Sequence, residues 1–275
     1  MDYKDIERSI VKKFRKTIWV RFIRAINEYE LIKENDHLMV CISGGKDSML
    51  LAKCIEELSR HSKIKFKASY VVMNPGYKKE NMDLLKENLL KLNINAEIFN
   101  SDIFDVINKI SKEEPCYLCA RMRRGVLYNH AKELGCNKIV LGHHFDDVIE
   151  TIMLNILYAG VYKTMMPKLK STNFPGLELI RPFYYVHEED IKAWAKYNDL
   201  HFLNCACSVT DGSLEHESKR KEIKGLINEL KKINKNVDIN ILRSSENVNI
   251  DSILGFVKNG KKSIFTEFYD DEKNS

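Results

Sequence analysis

Leu38-Met-Val-Cys-Ile42 is followed directly by Ser43-Gly-Gly-Lys-Asp-Ser48 and then by the apolar stretch Met49-Leu-Leu-Ala-Lys-Cys-Ile55. This order predicts a buried strand, a glycine turn and the start of a helix. The two glycines allow backbone N–H groups to face inward, and the first turn of a helix carries partial positive charge. Lys46 adds a mobile ammonium, and the two serine hydroxyls can donate to phosphate oxygens. The segment therefore predicts a phosphate-binding loop that differs from the GxxxxGK[ST] type.

The net charge of +5 is concentrated at one end of the 275-residue chain. Residues 1–24 hold eight basic and three acidic side chains, so this segment alone accounts for the excess. A localised basic element favours a polyanionic partner, although an ordinary solvated helix face gives the same pattern. No apolar run reaches the roughly 18 residues of a membrane-spanning helix, and the charged first residues lack the apolar core of a secretory signal. We therefore expect a cytoplasmic protein without a membrane partner.

Strands and helices alternate from residue 37 to about 158. The predicted strands are 37–42, 66–72, 96–99 and 138–142, and the predicted helices are 47–60, 79–92, 102–111, 116–134 and 145–158. Elements of this length in this order predict an α/β fold, a doubly wound parallel sheet with helices on both faces. A ligand site in such a sheet lies at the carboxyl ends of the strands, where the loops gather.

The region before the first strand predicts one long amphipathic helix over 5–31. Its apolar side chains are spaced by four, at Ile6, Ile10, Phe14, Ile18, Phe22 and Ile26. The expected units of the chain are an N-terminal basic amphipathic helix at 1–32, a nucleotide-binding domain at 33–210, and a small helical and polar C-terminal extension at 211–275.

The pattern is less regular after residue 160. Residues 160–175 indicate a loop region, and Pro182 closes a short strand. His187-Glu-Glu-Asp190 can cap and open a helix that runs to about 198. A further helix is predicted at 215–233, whereas the polar, asparagine-rich stretch after 235 gives no prediction of structure.

A second motif, Gly142-His-His-Phe-Asp-Asp147, follows the strand at 138–142 directly. Its acids are predicted to lie at the same edge of the sheet as the glycine turn. An ATP site needs carboxylates to hold Mg²⁺ against phosphate oxygens, and Asp146 and Asp147 are the natural candidates, with Asp47 as another. The alternative is that these acids only cap the helix that follows.

The seven cysteines fall into two groups. An odd number in a cytoplasmic chain argues against a disulfide framework, and Cys41, Cys54 and Cys136 lie in apolar surroundings typical of buried thiols. The others form two pairs, Cys116 with Cys119 and Cys205 with Cys207. Four thiols can bind zinc, three can hold a [4Fe–4S] cluster with one open iron, and a pair can act as a disulfide or persulfide relay. Spacing alone does not decide between these, or exclude unrelated thiols.

Taken together, SGGKDS, PCYLCARMRRGVLY, GHHFDD and the late cysteines resemble the tRNA 2-thiocytidine synthetase family of the PP-loop ATP pyrophosphatases. The resemblance covers roughly residues 15–230. It implies an adenine nucleotide alpha-hydrolase-like fold for the 33–210 domain and three cofactors, ATP, Mg²⁺ and a [4Fe–4S] cluster. Cys116 and Cys119 match the family's first two cluster ligands. For the third, the chain has Cys205-Ala-Cys207 where the family usually has PCxxC, so Cys205 is the expected ligand and Cys207 its competitor.

The resemblance also implies roles for the two motifs. The family adenylates the C2 oxygen of a cytidine in the tRNA anticodon loop and then replaces that oxygen with sulfur. Catalytic roles fall to Lys46, Asp47 and Asp146. The implied nucleotide ligands are Ser43, Gly44, Gly45, Lys46, Asp47, Ser48 and Asp147.

The implied partners are tRNA, a sulfur donor (a cysteine desulfurase or sulfide) and a second copy of the chain. Arg121, Arg123 and Arg124 could contact tRNA phosphates or the nucleotide, or be ordinary surface charge. Two other functions fit the residues. One is a related PP-loop enzyme that makes 2-thiouridine or adds an amine to an adenylated base. The other is a zinc-stabilised RNA-binding module without catalytic activity.

Overall fold

The computed structural model describes residues 2–101, 103, 115–203, 214–267 and 269, with side chains starting at 122 and 219 in the two helices that follow the gaps. Among these residues, six strands form one sheet in the order β3-β2-β1-β4-β6-β5. All neighbours are parallel except the pair β5 and β6. The strands are β1 (His37–Ile42), β2 (Lys67–Asn74), β3 (Glu97–Asn100), β4 (Lys138–Val140), β5 (Lys168–Lys170) and β6 (Glu178–Ile180). The predicted α/β class with a mainly parallel sheet is confirmed.

Helices connect the strands and flank the sheet. They are α1 (Tyr3–Val11), α2 (Val20–Glu28), α3 (Lys46–His61), α4 (Lys79–Lys91), α5 (Pro115–Glu133), α6 (Phe145–Ala159), α7 (Glu188–Tyr197), α8 (Leu214–Ile233) and α9 (Val237–Glu246). The predicted helices from 47 to 233 agree with these bounds to within one or two residues, apart from the one at 102–111. That segment lies outside the described residues except for Ile103.

The prediction of one continuous helix over 5–31 is wrong. The segment forms α1, a turn, a π-helical stretch at Arg15–Trp19 and then α2. Steps of four residues advance an apolar stripe by about 40° each on an α-helix of about 100° per residue. A wider turn, in which Phe14 N bonds to Ser9 O at 2.9 Å, removes part of this drift. As a result, the six apolar residues at that spacing all remain buried in the main core.

Two regions are more ordered than the sequence indicated. The expected loop at 160–175 contains β5, which pairs antiparallel with β6 at the sheet edge. The stretch after 235 forms α9 and a separate hairpin of β7 (Gly255–Lys258) and β8 (Lys261–Ile264). In the described part of the chain, no helix is both long and apolar enough to cross a membrane.

The main hydrophobic core contains residues from all three of the units expected from the sequence. Every residue of α3 from Ser48 to Ile55 is buried, and Trp194 of α7 is fully buried. Ile223 and Ile227 of α8, with Leu242 of α9, belong to the same core. The C-terminal helices therefore pack on the nucleotide-binding part, close to the site described next, and the boundary near 210 remains a proposal.

Candidate active site

The loop Ser43–Ser48 forms the predicted turn between β1 and α3. Gly44 has φ +86°, a left-handed conformation that favours glycine. An added Cβ there would also lie 2.7 Å from Leu203 Cδ1. Ser48 Oγ accepts a hydrogen bond from Ser43 N at 3.1 Å and donates to Gly45 O at 3.0 Å, which closes the loop. Helix α3 begins at Lys46, so its first backbone N–H groups point out of this loop toward any bound anion.

The second motif lies directly against this loop. A Cβ added to Gly142 would be 3.2 Å from both Asp47 C and Ser48 N, so the absence of a side chain allows the end of β4 to approach the start of α3. His144 caps α6: its backbone N–H donates to Asp147 Oδ2 at 3.0 Å, and its ring accepts from Asp147 N. The acids that the sequence placed at this sheet edge are thus beside the phosphate loop.

The three candidate carboxylates are held differently. Asp146 Oδ2 accepts a hydrogen bond from Glu188 N at 2.8 Å, whereas Asp147 Oδ1 lies 3.3 Å from Arg220 on α8. Asp47 Oδ1 is buried and accepts no hydrogen bond from the described residues, although Lys46 Nζ is 3.2 Å away. Of the two GHHFDD acids, Asp147 therefore caps α6, which was the alternative to a metal-binding role, and Asp146 does not.

No three His, Cys, Asp or Glu side chains surround a common metal position within the described ranges. Mg²⁺ is usually held by one or two carboxylates together with water and substrate phosphates. Asp47 Oδ1, within the phosphate loop, accepts no hydrogen bond from the described residues and lies 3.2 Å from Lys46 Nζ, so it has the donor chemistry of such a ligand. The residues present therefore fit Mg²⁺ bound jointly with a nucleotide.

Three cationic side chains that were not predicted as site residues also reach this region. Arg220 forms ion pairs with Asp147 and with Glu150, at 3.0 Å from Glu150 Oε2. Lys224, one turn further along α8, donates to Glu188 Oε2 at 2.5 Å. Lys192 lies 2.9 Å from the same oxygen. For Arg220 and Lys224 the sequence predicted only a basic-acidic helix at 215–233, a pattern that does not say which helix face contacts the site.

Two side-chain nitrogens, one in the GHHFDD motif and one just after β6, are buried. His143 Nδ1 and Arg181 Nε have no hydrogen-bond partner in the described part of the chain. Burial lowers the pKa of His143 to about 4 and that of Arg181 to about 10. The imidazole is therefore neutral at physiological pH, and the guanidinium retains its charge close to it.

A polar edge lies beside the loop at the end of β2. Asn74 Oδ1 accepts from the backbone N–H groups of Gly76 and Tyr77, and its Nδ2 donates to Asn100 at 3.0 Å. The Tyr77 hydroxyl accepts from Arg123 at 3.2 Å, so this arginine of α5 is held near the end of β2, while Arg124 is exposed to solvent. Arg121 has no described side chain.

The cysteine predictions divide between the described and undescribed parts. Cys116 and Cys119 lie in the first turns of α5, but their side chains are outside the described set, and Cys205 and Cys207 are outside it entirely. Cys54 is fully buried, and burial raises its pKa well above that of a free thiol, which agrees with its interpretation as a core residue.

Comparison with known proteins agrees with this geometry. The family model described as the PP-loop domain matches residues 15–224. The tRNA-cytidine(32) 2-sulfurtransferase of Geotalea uraniireducens is 36% identical over 228 residues, which cover 82% of this chain and 88% of the relative. The enzyme of the same name from Syntrophotalea carbinolica is 36% identical over 244 residues, or 87% and 88% of the two chains.

Among solved structures, the U34-tRNA thiolase NcsA from Methanococcus maripaludis, determined with its [4Fe–4S] cluster, aligns with a TM-score of 0.66. It is 22% identical and covers 82% of this chain and 76% of its own. At that identity the likeness shows a shared fold. The family match over most of the chain and the relatives above one third identity show that the chain belongs to the PP-loop family and, within it, to the tRNA-cytidine(32) 2-sulfurtransferases.

Proposed function

We propose that this chain is an ATP-dependent tRNA sulfurtransferase that converts a cytidine of the anticodon loop, position 32 in its named relatives, into 2-thiocytidine. The observation that carries the proposal is the direct contact between the phosphate loop and the GHHFDD segment at the carboxyl edge of the sheet. An anion-binding loop, a mobile ammonium and free carboxylate oxygen are what adenylation by ATP requires.

In the first step, the cytidine O2 attacks the α-phosphorus of ATP, the bond to the β-phosphate breaks and pyrophosphate leaves. The backbone N–H groups at the start of α3 and the Lys46 ammonium would bind the β- and γ-phosphates and stabilise the charge that develops on them. The serine hydroxyls of the loop would donate to the same oxygens. Sulfur then attacks C2 of the adenylated base, the bond from C2 to the adenylated oxygen breaks, and AMP leaves with that oxygen.

Mg²⁺ would supply charge neutralisation of the phosphates, with Asp47 and one or both acids of the Asp146-Asp147 pair as its protein ligands. Asp147 can contribute only if its Oδ1 is released by Arg220. Asp146 is oriented by the hydrogen bond that its Oδ2 accepts from Glu188 N.

Cys116, Cys119 and Cys205, or Cys207 in place of the last, would hold a [4Fe–4S] cluster, and such a cluster would supply an iron site for sulfide. Thiolates are the ligands that such a cluster takes, and three of them would leave one iron without a cysteine. The start of α5 also favours thiolate over thiol, since a helix N-terminus stabilises negative charge.

The tRNA would be bound by charge on the N-terminal segment. Its basic side chains that are exposed to solvent are Lys4, Arg8, Lys12, Lys13, Arg15, Lys16 and Arg24. Phosphate contacts of this kind hold the backbone without reading sequence. The target base must leave its stack to reach the site, which is easier in a loop than in a duplex.

Three further assignments belong to the same proposal. The sulfur comes from a cysteine desulfurase or from sulfide, the active species is a homodimer, and the reaction takes place in the cytoplasm with its tRNA substrate. Mass measurement of the purified protein under native conditions tests the dimer.

The decisive experiment is mass spectrometry of tRNA nucleosides from cells with and without this gene. Loss of 2-thiocytidine alone would support the proposal. Retention of 2-thiocytidine with loss of a thiouridine would move the substrate to uridine, and no change in any thionucleoside would contradict tRNA thiolation.

A set of cysteine variants separates the sulfur step from the ATP step. Cys116→Ala is expected to lose 2-thiocytidine formation and keep ATP binding, and Cys205→Ala is expected to behave in the same way with Cys207→Ala as its control. The iron content of each variant distinguishes a cluster from zinc or no metal. Full activity of Cys116→Ala would remove the cluster from the proposal.

A further inference from the structure

Glu188, at the start of α7, is surrounded by three lysine ammonium groups. Lys46 Nζ lies 3.1 Å from Oε1, whereas Lys224 and Lys192 lie 2.5 and 2.9 Å from Oε2. The carboxylate side chain is 14% exposed. Burial alone would raise its pKa, but hydrogen bonds from Lys224 and Lys192 and the nearby Lys46 hold the pKa well below the usual range of a glutamate.

This arrangement places a lysine of α8 next to the lysine of the phosphate loop. Lys46 and Lys224 bind opposite oxygens of one carboxylate, so their ammonium groups are both within hydrogen-bond reach of the same small anion. A pyrophosphate also has several oxygens that could bind both ammonium groups at once, and it carries more negative charge than a carboxylate. The Lys46 and Lys224 ammonium groups are therefore placed as two cations that share one diphosphate would need to be.

The position of Glu188 is fixed from a second side. Its backbone N–H donates to Asp146 Oδ2 at 2.8 Å, which ties it to the GHHFDD segment. On α8, Arg220 and Lys224 are four residues apart and therefore lie on one helix face. Arg220 contacts Asp147 and Glu150, so the face that carries Lys224 is anchored against the site at two points.

We propose that Lys224 is a second phosphate-binding ammonium of this site, and that Glu188 is a positioning residue that holds it beside Lys46 until a diphosphate group binds. The ligand class is the β,γ-diphosphate of ATP and free pyrophosphate, so the inference rests on the proposed use of ATP. When the phosphates bind, their oxygens replace Glu188 as partners of both lysines. Lys192 is 57% exposed and stays on the solvent side of the carboxylate.

Calorimetric titration of the full-length protein with inorganic pyrophosphate tests this assignment. One charge-assisted hydrogen bond corresponds to about tenfold to a hundredfold in affinity. Lys224→Ala is therefore expected to weaken pyrophosphate binding by at least about tenfold, and Lys224→Arg to restore most of it. The matched control is Lys221→Ala, an exposed lysine on the same helix, which should bind as the wild type does.

The variants also separate a direct contact from a purely structural role. If Lys224 only anchors α8, Lys224→Ala should lower the melting temperature while the pyrophosphate affinity stays within twofold, and that result would overturn the inference. A loss of affinity in Lys46→Ala but not in Lys224→Ala would overturn it as well and leave the proposed ATP chemistry intact. Absence of pyrophosphate binding in the wild type would overturn both.

Discussion

Replacing Gly142 by alanine should damage the phosphate loop through a single methyl group. Gly142 is not among the residues with positive φ, so its backbone can accommodate alanine and the effect is steric. The new Cβ would lie 3.2 Å from Asp47 C, 3.2 Å from Ser48 N and 3.3 Å from Ser48 Cα. All three are backbone atoms at the start of α3, and none can rotate away as a side chain would.

The size of the effect follows from these distances. Non-bonded carbons prefer about 3.5–4.0 Å, so the end of β4 and the start of α3 must separate by a few tenths of an ångström. Overpacking of this kind costs about 1–3 kcal/mol of stability. A displacement of about 1 Å at a reacting centre can cost a factor of about 100, so a shift of roughly 0.3–0.5 Å in the phosphate-binding N–H groups corresponds to about four- to tenfold in kcat/KM.

Pyrophosphate release at varied ATP concentration measures this loss, and thermal unfolding measures the stability. The matched control is Gly225→Ala on α8, where an added Cβ meets nothing within 4 Å. That variant should keep its kcat/KM and gain roughly 0.5–1 kcal/mol, since alanine is favoured over glycine in a helix. If Gly142→Ala retained wild-type kcat/KM for ATP, the close approach of the two motifs would not be what positions the phosphates.

Three further results are expected. Lys53→Ala should lower the melting temperature by roughly 6–20 °C in a thermal scan, because the fully buried Lys53 binds both Glu7 and Glu56, and removing it leaves two carboxylates without their buried partner; a change of less than about 2 °C would contradict this. Since burial lowers the pKa of His143 to about 4, the unfolded chain binds more protons between that pH and about 6.5, so the free energy of unfolding should fall as the pH drops through this window. In urea titrations over the same pH range, the free energy of unfolding of His143→Asn should fall less than that of the wild type. Identical pH dependence in the two proteins would rule out a contribution from His143. EDTA should stop ATP-dependent pyrophosphate release and Mg²⁺ should restore it, because the carboxylates of Asp47, Asp146 and Asp147 are acceptor-only ligands that suit Mg²⁺. Pyrophosphate release that continues in EDTA would exclude the metal requirement.

Local pattern was sufficient to predict the sheet and the phosphate loop. A strand, two glycines and a helix start predict where an anion binds because each residue acts through its own backbone conformation, and Gly44 shows the left-handed φ that this requires. The placement of GHHFDD beside the loop followed from the rule that parallel strands present their carboxyl ends at one edge. Neither inference needed knowledge of distant packing.

Distant packing explains what the sequence could not supply. Glu188 was interpreted as part of a helix-opening His-Glu-Glu-Asp run, and acids at a helix start are common for local electrostatic reasons. Its contacts with Lys46 and Lys224 depend on how α7 and α8 pack around the sheet, and 36 residues separate Glu188 from Lys224. The π-helical stretch at Arg15–Trp19 was also missed, because a spacing of four fits an α-helix over a few turns and drifts only over a longer span.

Two cations of α8, Arg220 and Lys224, form ion pairs with carboxylates beside the phosphate loop. Arg220 occupies an oxygen of Asp147 that would otherwise be free for a metal, and Lys224 occupies the carboxylate that also holds Lys46. If the metal and the diphosphate replace both contacts, binding of MgATP exchanges the partners of α8 at two positions one turn apart. This helix follows directly after the segment that carries Cys205 and Cys207. In the proposed mechanism, α8 would therefore carry two phosphate-site cations on the helix that follows the proposed cluster cysteines in the sequence.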